Sequence, residues 1–130
     1  MNSLALGKHF LPALEKLATR IPNLQCAMLC TPDGFNLCSL GLSENQVGKM
    51  AALSSSLLSV GDAAVGSLLA KESPAASLDL MTMEADGLQI VCLKIQRPDS
   101  YFVLMASGRS PLGVIIMGVK ATANDICKIL

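Results

Sequence analysis

The stretch covering residues 43–71, SENQVGKMAALSSSLLSVGDAAVGSLLAK, limits what this chain can fold into more than any other. No proline interrupts it, so as a helix it spans roughly 40 Å. Ser43 and Gln46 have the spacing of a capping box, in which the serine accepts from the third helical N–H and the glutamine reaches back. Helical spacing puts Val47, Met50, Leu53, Leu57, Leu58, Val60, Val65, Leu68 and Leu69 on one broad face, wide enough to cover a sheet. The opposite face is small: Gly48, Ala52, Ser55, Ser59, Ala63 and Gly66. Glu44, Lys49 and Asp62 bring the only charge near it. Glycine inside a helix loses about 1 kcal/mol relative to alanine, so such a face calls for a compensating contact. Close approach of another helix supplies one, most simply the same helix of a second copy. A poorly optimised solvent face is the alternative.

Composition points the same way. The chain is 52% hydrophobic and 15% charged, against about a quarter charged in ordinary soluble domains, as expected if a partner covers part of the surface. Net charge is zero and no run of Lys or Arg occurs, which argues against a nucleic-acid partner. Charge or turn residues are read as breaking every apolar stretch short of a membrane span, so no membrane insertion is expected. Lys8 and His9 interrupt the apolar part of the N-terminal segment, unlike a secretory leader. The five cysteines, odd in number and set mostly in apolar runs, read as reduced thiols in a core. The expectation is a cytoplasmic protein with a single domain over residues 1–130, long enough to bury its own core.

In chain order, residues 3–20 predict a helix with Leu4, Phe10, Leu11, Leu14 and Leu17 on its buried side. Pro12 is awkward inside it, which places the start of the helix proper near Leu11. Strands are expected at 24–30 and 35–40, joined by the turn Thr31-Pro32-Asp33-Gly34. After the long helix, residues 72–75 act as a stop. Strands at 77–83, 88–96 and 101–106 follow, with turns at 84–87 and 97–100, and a last helix runs from Pro111 to about Lys128. The order helix, two strands, helix, three strands, helix predicts an α+β fold of profilin-like type. In it a five-stranded antiparallel sheet carries the long helix on one face and the terminal helices on the other. Leu78, Leu80, Met81 and Met83 leave the strand at 77–83 apolar, without the Lys, Pro or bulge by which natural sheet edges discourage pairing.

Chemistry is harder to find. His9 is the only histidine and has no thiol or carboxylate cluster in its sequence neighbourhood, so no triad is expected. Cys26 and Cys30 share a strand face, with Cys38 across the hairpin, but no C-x-x-C or further ligand makes this a zinc pattern. Residues 41–49 (GLSENQVGK) lack the spacing of a phosphate loop, and Asp33 and Asp86 belong to turns. No cofactor or metal is expected. Met28, Met81, Met83, Met105 and Met117 read as core, with an adaptable binding surface as the rival assignment.

The element order, the T-P-D-G hairpin, the small-residue helix with Lys49-Met50-Ala51-Ala52 near its start, and Leu112-Gly113 opening the closing helix together make the chain similar to one family. It resembles the roadblock / dynein light chain superfamily over about residues 5–130, departing from it at Pro12 and in its charge-poor helix face. The resemblance implies a small non-enzymatic homodimer in which long helices lie side by side and sheets join through the third strand. It also implies binding or regulation of a small Ras-like GTPase, or, as in eukaryotic members, attachment to a dynein motor as an adaptor. Carried onto this sequence, the interface comprises Gly48, Ala52, Ser55, Ser59, Asp62, Ala63 and Gly66 on the helix with Leu78, Leu80, Met81 and Met83 on the strand. The competing expectation is a profilin-like domain that senses a small ligand in an apolar pocket.

Overall fold

Turn chemistry and alternation set the sheet. The computed structural model describes residues 3–73 and 76–130. Its elements are α1 (Ser3–Glu15), α2 (Leu17–Arg20), β1 (Leu24–Cys30), β2 (Asn36–Leu40), α3 (Glu44–Leu69), β3 (Leu80–Ala85), β4 (Leu88–Gln96), β5 (Tyr101–Gly108) and α4 (Leu112–Lys128). The strands form one antiparallel sheet in the order β2-β1-β5-β4-β3. Gly34 closes the first hairpin at φ 87°, donating its N–H to the Thr31 carbonyl at 3.0 Å. In the second, Asp86 and Gly87 both have positive φ, 52° and 76°, the pattern of a type I′ two-residue turn.

The sheet buries both faces. Phe10, Leu14 and Leu17 of the first two helices and Ile115, Val119 and Ile126 of α4 meet Leu29, Val91, Leu93 and Leu104 on one side. On the other, Ala51 and Leu58 of α3 meet a row of sulfur side chains: Met28, Met105 and Cys92 stand in register across β1, β5 and β4, with Met81 next on β3. This is the α+β layering expected from the sequence. At the β2 edge α1 lies so close that a side chain at Gly7 would collide with the Leu37 carbonyl.

Several local expectations are corrected. The first helix starts at Ser3, not near Leu11, and holds Pro12 internally before breaking at Lys16. Pro12 and Lys8 are both exposed, so the carbonyl that the missing proline N–H cannot serve is on the solvent side. Leu4 is exposed rather than buried. Cys38 lies on the terminal-helix face of the sheet, away from Cys26 and Cys30. β3 starts at Leu80 instead of 77, because the Leu78 N–H is taken by Asp62 before the ladder begins. β5 runs two residues past 106, pairing through Gly108. The stop expected at 72–75 extends into residues 74 and 75, which lie outside the described residues.

The largest correction concerns α3. Its capping box forms as expected, Ser43 Oγ accepting from the Gln46 N–H and Gln46 Oε1 from the Ser43 N–H. Of the face expected to cover the sheet, only Leu58 is fully buried; the other buried positions are Ala51, Ser54 and Ser55. Leu53 and Val60 stand about 140° and 160° round the helix from Leu58 at 3.6 residues per turn, so all three cannot face inward. Small residues win the inner face because the helix sits close. A Cβ at Gly61 would meet Leu78 Cδ2 at 2.5 Å and Met81 Cε at 3.0 Å, and one at Gly34 would meet Ala52 Cα at 3.2 Å. Ser55 Oγ donates to the Thr31 carbonyl at 3.1 Å. Among the described residues α3 alone is long and apolar enough to cross a membrane, contrary to the sequence reading, and 17% of its most apolar window is buried.

One ion pair fixes this arrangement. Lys94 Nζ donates to both Asp62 oxygens at 2.7 and 2.6 Å, Asp62 Oδ1 also accepts the Leu78 N–H at 2.7 Å, and Lys94 lies 4.7 Å over the Tyr101 ring. Burial pushes the Asp62 carboxyl up, but the Lys94 and Leu78 hydrogen bonds and the Lys94 charge together hold it below the ordinary aspartate value. The lysine side chain is 4% exposed and the aspartate 31%, so Asp62→Asn is expected to cost about 2 kcal/mol in urea unfolding, less than for a fully buried pair. With a depressed folded pKa, the contribution is complete above the unfolded value near pH 4 and fades as pH falls through the lower folded value. The variant should therefore show a flatter loss of stability than the wild type below about pH 4.

Candidate functional site

Helix geometry decides what α3 offers to a partner. At 100° per residue Gly48, Ala52, Ser59, Ala63 and Gly66 lie within a strip about 60° wide and some 27 Å long. Gly48, Ala52, Ser59 and Ala63 are exposed, and Gly48 and Gly66 have open space where a side chain would stand. Ser55 belongs elsewhere, since it is buried against the first hairpin. Asp62 is engaged by Lys94 and Leu78. The strip is narrower than the sequence implied.

Beside it runs a feature that sequence reasoning assigned to the core. Leu53, Val60 and Leu68 are 48%, 68% and 79% exposed. With Leu57 and Ala64 they fall at intervals of three and four, so the signal was available as a second apolar stripe too far round the helix to share an inner face with Leu58.

The expected strand residues end up at or just before a sheet edge, since among the described residues β3 pairs only with β4. Leu78, Leu80, Met81 and Met83 are each half-buried. Leu80 packs into the core on the terminal-helix side and Leu78 and Met81 into the one under α3. No lysine or proline occurs within β3, and Glu84 is its only charge. α3's exposed face and an unguarded edge are therefore neighbours, linked by Gly61 resting against Leu78 and Met81.

A cleft of about 380 Å³ opens between the first turns of α3 and the strands β1, β4 and β5, floored by Cys26, Ile90 and Met105 with Gln46 and Lys49 at one side. No group of three or more His, Cys, Asp or Glu among the described residues could hold a metal. His9 is exposed on α1 and donates from Nε2 to the Ile129 carbonyl at 2.9 Å, far from the thiols at the sheet centre. Burial pushes the thiols of Cys30 and Cys38 up to about 12 and that of Cys92 up to about 11. Burial raises Cys26 as well, against a hydrogen bond from Ser107. All five cysteines are free, and Cys127 is exposed. Iodoacetamide at about pH 8 should label Cys127 first and Cys30, Cys38 and Cys92 at least about a hundredfold more slowly, read by peptide mass spectrometry. Fast labelling of any of those three would place a reactive thiol in the sheet.

No family model matches the sequence, and no curated relative matches it. Solved structures do resemble it in fold. The Roadblock/LC7 domain from Streptomyces avermitilis superposes with a TM-score of 0.71 at 20% identity, over 86% of this chain and 89% of that one. The gliding protein MglB from Thermus thermophilus gives 0.77 at 15% identity, over 96% and 90%. An MglB in a tetrameric arrangement gives 0.77 at 17% identity, over 96% and 90%. The chain has the roadblock-domain fold.

Proposed function

We propose that residues 1–130 form a single non-catalytic adaptor domain of the cytoplasm that pairs with a second copy and regulates or scaffolds a small Ras-like GTPase. The observation that carries the pairing is the exposed stripe of Leu53, Val60 and Leu68 beside the small strip and the bare edge of β3. In this reading two α3 helices lie side by side on Gly48, Ala52, Ser59, Ala63 and Gly66, where no bulk holds them apart. The β3 strands, with Leu80, Met81 and Met83 and with Leu78 just before them, bring the two sheets together. Ser55 and Asp62 act from behind, holding each helix on its own sheet. The fold likeness to MglB, one of whose structures is a tetrameric arrangement, supports self-association. The GTPase role rests on the roadblock resemblance of the sequence.

Sedimentation at tens of micromolar tests the pairing: wild type should run as a dimer and Ser59→Arg as a folded monomer, since an arginine has no room between close helices. A monomeric wild type sinks it. For the GTPase, hydrolysis and nucleotide release by purified Ras-like proteins should change severalfold when the dimer is added, and no change across the set removes that role while leaving the dimer standing.

The 380 Å³ cleft favours a second reading, a small-ligand sensor. It predicts a metabolite that raises Tm for wild type and loses that effect in Ile90→Glu.

A further inference from the structure

The ten cations and ten acidic side chains of this neutral chain are not evenly mixed. The helical layer of α1, α2 and α4, with Lys16 between the first two, carries Lys8, Lys16, Arg20, Lys120 and Lys128 against only Glu15 and Asp125. Five cations less two anions is +3, which leaves −3 for the sheet, its turns and α3. Asp125 is already engaged inside the layer: its Oδ2 accepts from Arg20 at 2.8 Å and lies 4.0 Å from Lys16. Arg20 also donates to Thr122 Oγ1 at 2.8 Å. Arg20, Lys16 and Lys128 together outnumber the one Asp125 carboxylate, three charges less one, so the group keeps a net +2.

Two clefts follow the seam between α1–α2 and α4. One of about 380 Å³ lies against Arg20, Val114, Met117 and Ala121; the other, about 310 Å³, lies between His9, Lys16, Lys128 and the Arg20-bound Asp125. Residues 114, 117, 121, 124 and 128 form a single stripe of α4 about 21 Å long. Its first half is apolar, with Met117 74% exposed, and its far end is cationic.

We propose that this seam is a docking site for a partner-protein segment that is apolar at one end and acidic at the other. Such a segment buries Met117 and Val114 while its carboxylates meet Lys16 and Lys128, whereas a basic segment meets like charge. A protein fits better than a bilayer, because the site is a concave seam with few cations, and anionic membranes are read by clusters of roughly four to eight. The seam lies across the sheet from α3, so its occupant leaves that helix and the β3 edge free. The inference goes beyond self-association and does not depend on it.

The probe is a fluorescein-labelled 14-residue peptide, leucine-rich in its first half and glutamate-rich in its second, followed by anisotropy in about 50 mM salt. A counterpart with lysine in place of glutamate serves as the charge control. Wild type should bind the leucine/glutamate peptide and not its counterpart. Lys16→Glu/Lys128→Glu should weaken binding at least about tenfold, and Met117→Glu similarly. Lys71→Glu/Arg97→Glu shifts the net charge by the same amount at exposed positions off the seam, and should stay within about twofold of wild type. Circular dichroism and sedimentation of the variants confirm that fold and oligomeric state are unchanged. Absence of binding, loss that is equal in both double variants, or indifference to Met117→Glu overturns the proposal. So does binding to phosphatidylserine vesicles that Lys16→Glu/Lys128→Glu abolishes while leaving peptide binding intact.

Discussion

Asp62 joins three parts of the chain that sequence keeps apart. From the middle of α3 it accepts from Lys94 on β4 and from the Leu78 backbone just before β3. A nearly buried ammonium needs an anion close by, and only a helix seated tightly on the sheet can bring one. Gly61 and the serines at 54 and 55 permit that seat, since larger side chains would lift the helix off Leu78, Met81 and the first hairpin. Electrostatic demand from below and small side chains above therefore act as one constraint. The position of the edge strand follows, because the Leu78 N–H is committed before the ladder starts.

A helix that sits down on its small residues must carry its large ones somewhere else. Leu53, Val60 and Leu68 face outward for that reason, so the most conspicuous apolar surface of the domain results from how its core closes. Covering such a stripe gains hydrophobic free energy with no rearrangement of the core beneath.

Local chemistry was legible from residue order. The capping box at Ser43 and Gln46, the Thr31-Pro32-Asp33-Gly34 turn and the span of β1, β4 and α4 each depend on neighbours within a few positions. What stayed hidden depends on partners far along the chain. Which face of α3 turns inward is set by the depth of the sheet beneath it, a quantity no helical wheel contains. The late start of β3 is set by an aspartate 16 residues upstream. Ser55 looked like part of an exposed strip because its tie to the Thr31 carbonyl bridges 24 residues. The uneven sharing of charge is invisible in a net of zero, and emerges only when the two ends of the sequence are laid in one layer.

The two borders of the sheet differ in one further respect. At β2 the first helix crosses close over the Leu37 carbonyl, while among the described residues β3 has no helix packed so near its outer border. A sheet that can be extended from one side only cannot serve as a link in a chain of sheets. If two such borders meet, both are consumed and growth stops at two, whereas a bare border on each side would let copies add without end. In the proposed pairing, the glycine at position 7, by letting α1 cross close to β2, would help leave the β3 border as the one that copies share.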